Sequence, residues 1–177
     1  MKKIFMSLAV ALVSLCASAQ VYVGGTMGIS SNKIGDSDSK IAYKFLPEIG
    51  YQFNKQWSVG MEFGLKKGDP CTISAVGDQT TYEVAPYVRY NFVSSKLFDV
   101  FMEGTVGYGR VNKVNTDVFE IGIKPGVALN LSDKFSLITK VGFLGYRGVS
   151  PEYGKSSSTF GLDVDGNNIQ FGAIVKF

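Results

Sequence analysis

The chain has 177 residues, with 18 Lys and Arg against 15 Asp and Glu, and it contains no histidine. Without histidine, His-based catalytic triads and His-ligated metal sites are excluded, and two cysteines are too few for a thiolate cluster. The formal net charge of +3 gives no argument for a nucleic-acid partner.

The first residues have the three parts of a secretory signal peptide. Residues 2–3 are lysines, residues 4–15 form an almost unbroken apolar run, and residues 17–19 read Ala-Ser-Ala, a small-residue cleavage site. The apolar run is about 12 residues long, too short to cross a bilayer as a helix. We predict a cleaved signal peptide over 1–19 and one domain over 20–177.

Cleavage changes the charge and the cysteine count. The basic residues fall from 18 to 16 (18 − 2), against 15 acids, and Cys71 is left as a single, unpaired loop cysteine. Acylation at Cys16 is the weaker alternative, because Leu15 stands where a small residue is normally required.

The remaining chain alternates between apolar and polar residues, which is typical of β-strands. Between residues 57 and 66, for example, Trp57, Met61 and Phe63 share one face and Gly60 and Glu62 the other. This alternation predicts eight strands, at 21–31, 41–53, 57–66, 80–92, 98–110, 118–131, 135–146 and 160–177.

Two of these strands are irregular. The seventh places Ile138 and Leu144 on its polar face, and we expect the eighth to bend or break around residues 165–167.

A repeat of strand pairs supports this assignment. Pro47, Pro86 and Pro125 are 39 residues apart, and each precedes a large apolar strand end by six residues. Proline removes a donor from a sheet ladder, so we expect local irregularity at these positions.

The connections alternate in length. Those at 54–56, 93–97 and 132–134 are short, whereas those at 31–40, 67–79 and 147–159 are long and 111–117 is intermediate. Bacterial transmembrane barrels combine short periplasmic turns with longer extracellular loops in this way.

The apolar face of the strands predicts which side faces outward. It carries about 40 large side chains, and the interior of an eight-stranded barrel is only just wide enough to be filled by side chains. The glycine-rich polar face fits inside, so the apolar face should contact lipid. Aromatic residues at the short-turn ends predict an interfacial girdle, formed by Tyr51, Phe53, Trp57, Tyr90, Phe92, Phe98, Phe135 and Phe177.

The sequence resembles the small outer-membrane β-barrels of the OmpA/OmpX-like family, particularly those of Bacteroidetes. The resemblance covers the whole mature chain and depends on residues 46–53, 85–92 and 142–146 and on the terminal Phe177. It implies an all-β, eight-stranded, antiparallel up-and-down transmembrane β-barrel in the outer membrane. It also implies that Phe177 is the signal read by the barrel-assembly machinery, and it implies no reaction.

The most informative polar residues are glutamates on the predicted inward face. Five of the six glutamates fall there, together with several cations, and pairing offsets much of the cost of burying charge. We predict an interior charge network formed by Glu48, Glu62, Glu83, Arg89, Glu103, Glu120, Lys124 and Lys140. Lys44, Lys66 and Lys176 are further cations expected on the inward face.

Other motifs predict no site. Residues 163–167 resemble a calcium loop, but their glycine comes too early and Ile174 stands where a bidentate glutamate is required. We assign no catalytic residue, no cofactor, no metal and no phosphate site, and residues 36–38 are interpreted as solvated loop.

The sequence thus predicts a non-enzymatic, monomeric outer-membrane barrel with a side-chain-filled polar interior and a structural or surface-interaction role. The partners of its extracellular loops are not specified, and no nucleic acid is expected. The alternatives are a narrow porin-like channel for ions or small solutes, and a soluble periplasmic ligand-binding barrel.

Overall fold

The computed structural model describes residues 21–32, 40–67, 80–112, 116–151, 156–163 and 169–177. The predicted signal peptide, Cys71, the acidic residues 36–38 and most of the long loops lie outside these ranges.

Ten β-strands make up the described part of the chain. They are β1 (Val21–Asn32), β2 (Lys40–Gln52), β3 (Trp57–Lys67), β4 (Thr80–Ser94), β5 (Phe98–Val111), β6 (Thr116–Asn130), β7 (Phe135–Val141), β8 (Phe143–Pro151), β9 (Ser157–Asp163) and β10 (Ile169–Lys176). Across these described ranges, no helix is both long and apolar enough to cross a membrane.

The strands close into an eight-stranded antiparallel barrel. Neighbouring strands pair in chain order from β1 to β6, and β10 pairs with both β1 and β7, which closes the wall. Both β7 and β8 pair with β6, so together they form the seventh barrel strand. The eighth consists of β9, which pairs with β8, and β10.

The seventh barrel strand, predicted over 135–146 as an irregular strand, is divided in two at Gly142. Gly126 pairs with Lys140, but Ile123 pairs with Leu144, so two residues of β6 face three residues around Gly142. This extra residue is a β-bulge, and Gly142 has a φ of 73°, a conformation that glycine adopts without strain.

The bulge reverses which residues point inward. Before it, Ile138 is buried inside as expected, whereas beyond it Phe143 is buried and Leu144 is exposed on the outside. The prediction that Leu144 lies on the polar face was therefore wrong. The predicted loop at 147–159 also begins too early, because β8 continues to Pro151 and includes Arg147.

The register around the wall defines the stagger of the barrel. The paired residues can be followed around the barrel from Met27 on β1. In one direction, Met27 pairs with Phe171 on β10, which pairs with Thr139 on β7. In the other direction, the successive partners are Phe45, Leu65, Tyr82, Arg110, Asp117 and finally Ser150 on β8. The two endpoints are 11 residues apart on one barrel strand (150 − 139), including the bulged residue. Such a stagger tilts the strands against the barrel axis.

The three repeated prolines interrupt the wall in one consistent way. Each pairs in register with the preceding strand: Pro47 with Gly25, Pro86 with Met61 and Pro125 with Met102. The pairing with the following strand is interrupted at each proline, in the β2–β3 ladder, the β4–β5 ladder and the ladder of β6 with β7 and β8. The expected irregularity is confirmed, and its cause is the missing proline N–H. The ladders without interruption are therefore those within the strand pairs β1–β2, β3–β4 and β5–β6.

The outer surface of the wall is apolar along its whole height. The predicted girdle residues Phe53, Trp57, Phe92, Phe98 and Phe177 are exposed at the short-turn end. A second aromatic group is exposed towards the long-loop end, comprising Tyr82, Tyr108, Phe119, Tyr146 and Phe160. The polar face of the strands lines the interior.

Candidate functional site

The lumen of the barrel contains all of the charged residues predicted to face inward from β2 to β7. Glu48, Glu62, Glu83, Arg89, Glu103, Glu120, Lys124 and Lys140 are all buried, as are Lys44 and Lys66. These side chains come from six different strands, and their carboxylates and cations form two adjoining clusters.

The first cluster, called the crossing ring, closes across the lumen. It consists of Arg89 on β4, Glu48 on β2, Lys140 on β7 and Glu103 on β5. Nη2 of Arg89 donates to Glu48 at 3.0 Å and to Glu103 at 2.9 Å. Nζ of Lys140 donates to the same two glutamates at 3.0 Å each, so cations and carboxylates alternate in a closed loop.

The crossing ring uses the full donor capacity of its lysine. Besides Glu48 and Glu103, Nζ of Lys140 donates to Oε2 of Glu62 at 2.7 Å. An ammonium group has three hydrogens, and all three are directed at carboxylates here. Hydrogen bonds between ionised partners of this kind are stronger than neutral ones.

Aromatic rings surround the guanidinium group of Arg89. Its Cζ lies 4.7 Å from the ring centre of Phe101, 5.1 Å from that of Tyr87 and 5.6 Å from that of Tyr22. The hydroxyl groups of Tyr22 and Tyr87 are hydrogen-bonded to each other at 2.8 Å. These rings occupy lumen volume and provide cation–π contacts.

The second cluster lies towards the long loops and centres on Glu120. Its carboxylate is 3.0 Å from Nζ of Lys124, 3.5 Å from Nε of Arg147 and 3.8 Å from Nζ of Lys66. Lys66 also donates to Glu83. Lys124 lies 3.6 Å from Glu62, which joins this cluster to the crossing ring.

Glycines opposite the inward aromatic rings allow this dense filling. Gly50 lies directly across from Tyr22, Gly60 from Tyr87 and Gly126 from Phe101. A methyl group on any of these glycines would overlap the facing ring. Glycine on the inward face is therefore a packing requirement at these positions.

Among the described residues, those that point inward although the sequence analysis did not place them there include Tyr22, Leu46, Phe101, Phe143, Arg147 and Ile174. Phe101 lies two residues before Glu103 on β5, so both side chains point to the same face, and this spacing could have placed Phe101 inside. Phe143 and Arg147 face inward only because of the bulge at Gly142. The signal for that bulge was the conflict between Ile138 and Leu144 on one expected face.

The short-turn end of the barrel is open. A polar cavity of about 400 Å³, the short-turn vestibule, is lined among others by Gln52, Lys55, Ser95, Lys96, Asp99 and Lys176. A smaller cavity of about 30 Å³ shares Gln52, Asp99 and Lys176 with it and extends to Arg89 and Phe101. Lys176 thus faces the vestibule, on the inward side as predicted.

The family comparison agrees with this architecture. The family model described as "Outer membrane protein beta-barrel domain" matches residues 5–177, and the chain belongs to this family of outer-membrane barrels. The crystal structure of Neisserial surface protein A (NspA) is similar at a TM-score of 0.46 and 17% identity, covering 89% of this chain and 95% of that one. Comparison with curated proteins gave no significant match.

Proposed function

We propose that this outer-membrane barrel is closed to solutes and that it acts as a structural or surface-interaction protein through its exposed ends. The soluble periplasmic barrel is not retained, because the apolar side chains face outward and the family is one of outer-membrane proteins.

The crossing ring is the observation that supports a closed lumen. Its four side chains reach across the barrel from four strands, and each is at most 5% exposed. A solute that passed through would have to separate ion pairs at 2.9–3.0 Å. An eight-stranded barrel has little interior volume besides its side chains.

Conductance in a planar bilayer tests this proposal. We expect no steady single-channel current from the wild-type protein, and an open porin reconstituted in parallel serves as the positive control. Stable currents from several independent wild-type preparations would overturn the closed-barrel proposal.

A narrow, gated channel is the second candidate function. The observation in its favour is the small cavity beside Arg89, which shares lining residues with the short-turn vestibule and leaves the ion-pair clusters as the barrier to passage. This candidate predicts that the wild-type protein conducts and that Arg89→Ala alters ion selectivity with little loss of stability.

The remaining assignments rest on the family and on the sequence. We propose that a signal peptide at 1–19 directs export, that the assembly machinery reads Phe177, and that the barrel is a monomer in outer-membrane lipid. In this arrangement the short turns face the periplasm and the long loops face the exterior.

A further inference from the structure

The short-turn vestibule has the charge and shape of a ligand site. Lys55 comes from the β2–β3 turn, Lys96 from the β4–β5 turn and Lys176 from the end of β10, and all three line the same cavity. Residues distant in sequence therefore bring three lysines to one opening. Its volume of about 400 Å³ lies within the range typical of small-molecule pockets.

The vestibule has more lysines than carboxylates, three against two, and both oxygens of one carboxylate already accept hydrogen bonds. Oδ1 of Asp99 accepts a hydrogen bond from Ser94 at 2.8 Å, and its Oδ2 accepts one from Asn130 at 3.0 Å. Asp133, on the turn before β7, is exposed and adds one carboxylate. Among the described residues, no carboxylate lies within 4.0 Å of the ammonium groups of Lys55, Lys96 or Lys176.

The uncharged lining specifies the rest of the ligand. Ser94, Ser95, Ser132, Asn130 and Gln52 also line the cavity, and none of its lining residues is aromatic. Hydroxyl and amide groups both donate and accept hydrogen bonds, so they suit a ligand that is itself rich in hydroxyls. The crossing ring closes the inner end, which makes the vestibule a pocket.

We propose that the short-turn vestibule binds a small anionic saccharide, a hydroxyl-rich ligand that carries a carboxylate or a phosphate. The lysines would contact the anionic group, and the serine hydroxyls and Gln52 would contact the sugar hydroxyls. This assigns a binding role to the end of the barrel opposite the long loops.

Calorimetric titration of the purified protein in a non-ionic detergent tests the proposal. The probes are glucuronate and glucose 6-phosphate, and glucose is the neutral control. We expect both anionic sugars to bind and glucose to bind at least about tenfold more weakly, since one order of magnitude corresponds to a few favourable polar contacts. Binding should weaken in high salt, because exposed charges are screened.

Paired lysine variants locate the site. The double variant Lys55→Gln, Lys96→Gln should weaken binding by about tenfold, given a threefold to fivefold loss for each exposed charge. Lys134→Gln is the matched control, because Lys134 also lies on a short turn, is exposed and does not line the vestibule. Equal loss in the control would assign the binding to general surface charge and overturn the proposal.

A lipid arm separates a soluble ligand from an anionic headgroup. Titrations are repeated in nanodiscs with and without phosphatidylglycerol. Undiminished sugar binding in both discs supports the proposal, whereas competition by phosphatidylglycerol that depends on Lys55 and Lys96 makes a headgroup the occupant and overturns it. Absence of binding by both anionic sugars at millimolar concentrations also overturns it. These outcomes do not depend on whether the barrel conducts.

Discussion

Arg89 and Glu48 meet across the lumen although 41 residues separate them in the chain. Nη2 of Arg89 lies 3.0 Å from Oε1 of Glu48 and 3.2 Å from Oε2. Both residues are almost fully buried, so neither charge has bulk water to stabilise it. Their pairing fixes β4 relative to β2 through the interior, in addition to the hydrogen bonds of the wall.

Removal of Arg89 should therefore destabilise the barrel strongly. Arg89→Ala leaves Glu48 and Glu103 with Lys140 as their shared cation, and the loss of one member of a buried ion pair costs roughly 3–5 kcal/mol. We expect a correspondingly lower free energy of unfolding in urea, measured in lipid vesicles. Arg110→Ala is the control, because Arg110 is exposed and should change stability by less than about 1 kcal/mol. A comparable loss in both variants would contradict the ring's role.

Much of the barrel could be predicted from the sequence because odd-numbered and even-numbered residues of a regular strand point to opposite faces of the wall. An unbroken alternation places Glu62 inside and Met61 outside without any knowledge of tertiary contacts. This alternation does not predict which inward charges form ion pairs, since Glu48 and Lys140 come together only when the barrel closes. It also fails beyond a bulge, where Arg147, interpreted from the sequence as part of a loop, lies on β8 and contacts Glu120.

The bulge at Gly142 should be sensitive to substitution. A non-glycine residue at a φ of 73° costs about 1–2 kcal/mol. We therefore expect Gly142→Ala to lower the free energy of unfolding by that amount. Gly142→Asn should lower it less, because asparagine tolerates this conformation better than alanine. Equal stability of wild type and Gly142→Ala would show that the bulge can be remodelled at no cost.

Two glycines, one on β3 and one on β5, should respond differently to alanine. In Gly60→Ala the new methyl group would overlap the Tyr87 ring, and overpacking of this kind costs typically about 1–3 kcal/mol. At Gly104 the nearest atom to a new methyl group is the carbonyl oxygen of Val88 at 3.9 Å. Gly104→Ala should therefore be neutral or stabilise by up to about 1 kcal/mol. Urea midpoints of the two variants in the same detergent test this, and a loss of stability at Gly104 that matches the loss at Gly60 would contradict it.

The terminal residue provides a test of assembly that is independent of the interior. Phe177 is 57% exposed on the outer surface, and its backbone N–H donates to the carbonyl of Val21 at 2.9 Å. If the assembly machinery reads this residue, Phe177→Ser should reduce the amount of protein inserted while synthesis is unchanged. Phe171→Ser is the matched control, because Phe171 is 62% exposed on the outer surface of β10, the strand that ends one residue before Phe177.

The amount of folded barrel can be measured by gel mobility. A closed barrel satisfies its backbone hydrogen bonds internally, so unheated protein should resist detergent and migrate differently from boiled protein. We expect the band of the folded form in membrane fractions to fall several-fold for Phe177→Ser, and much less for Phe171→Ser. An equal decrease in both variants would reduce the role of Phe177 to apolar contact with lipid, since both substitutions remove a similar exposed ring. A normal folded band for Phe177→Ser would remove the assembly role altogether.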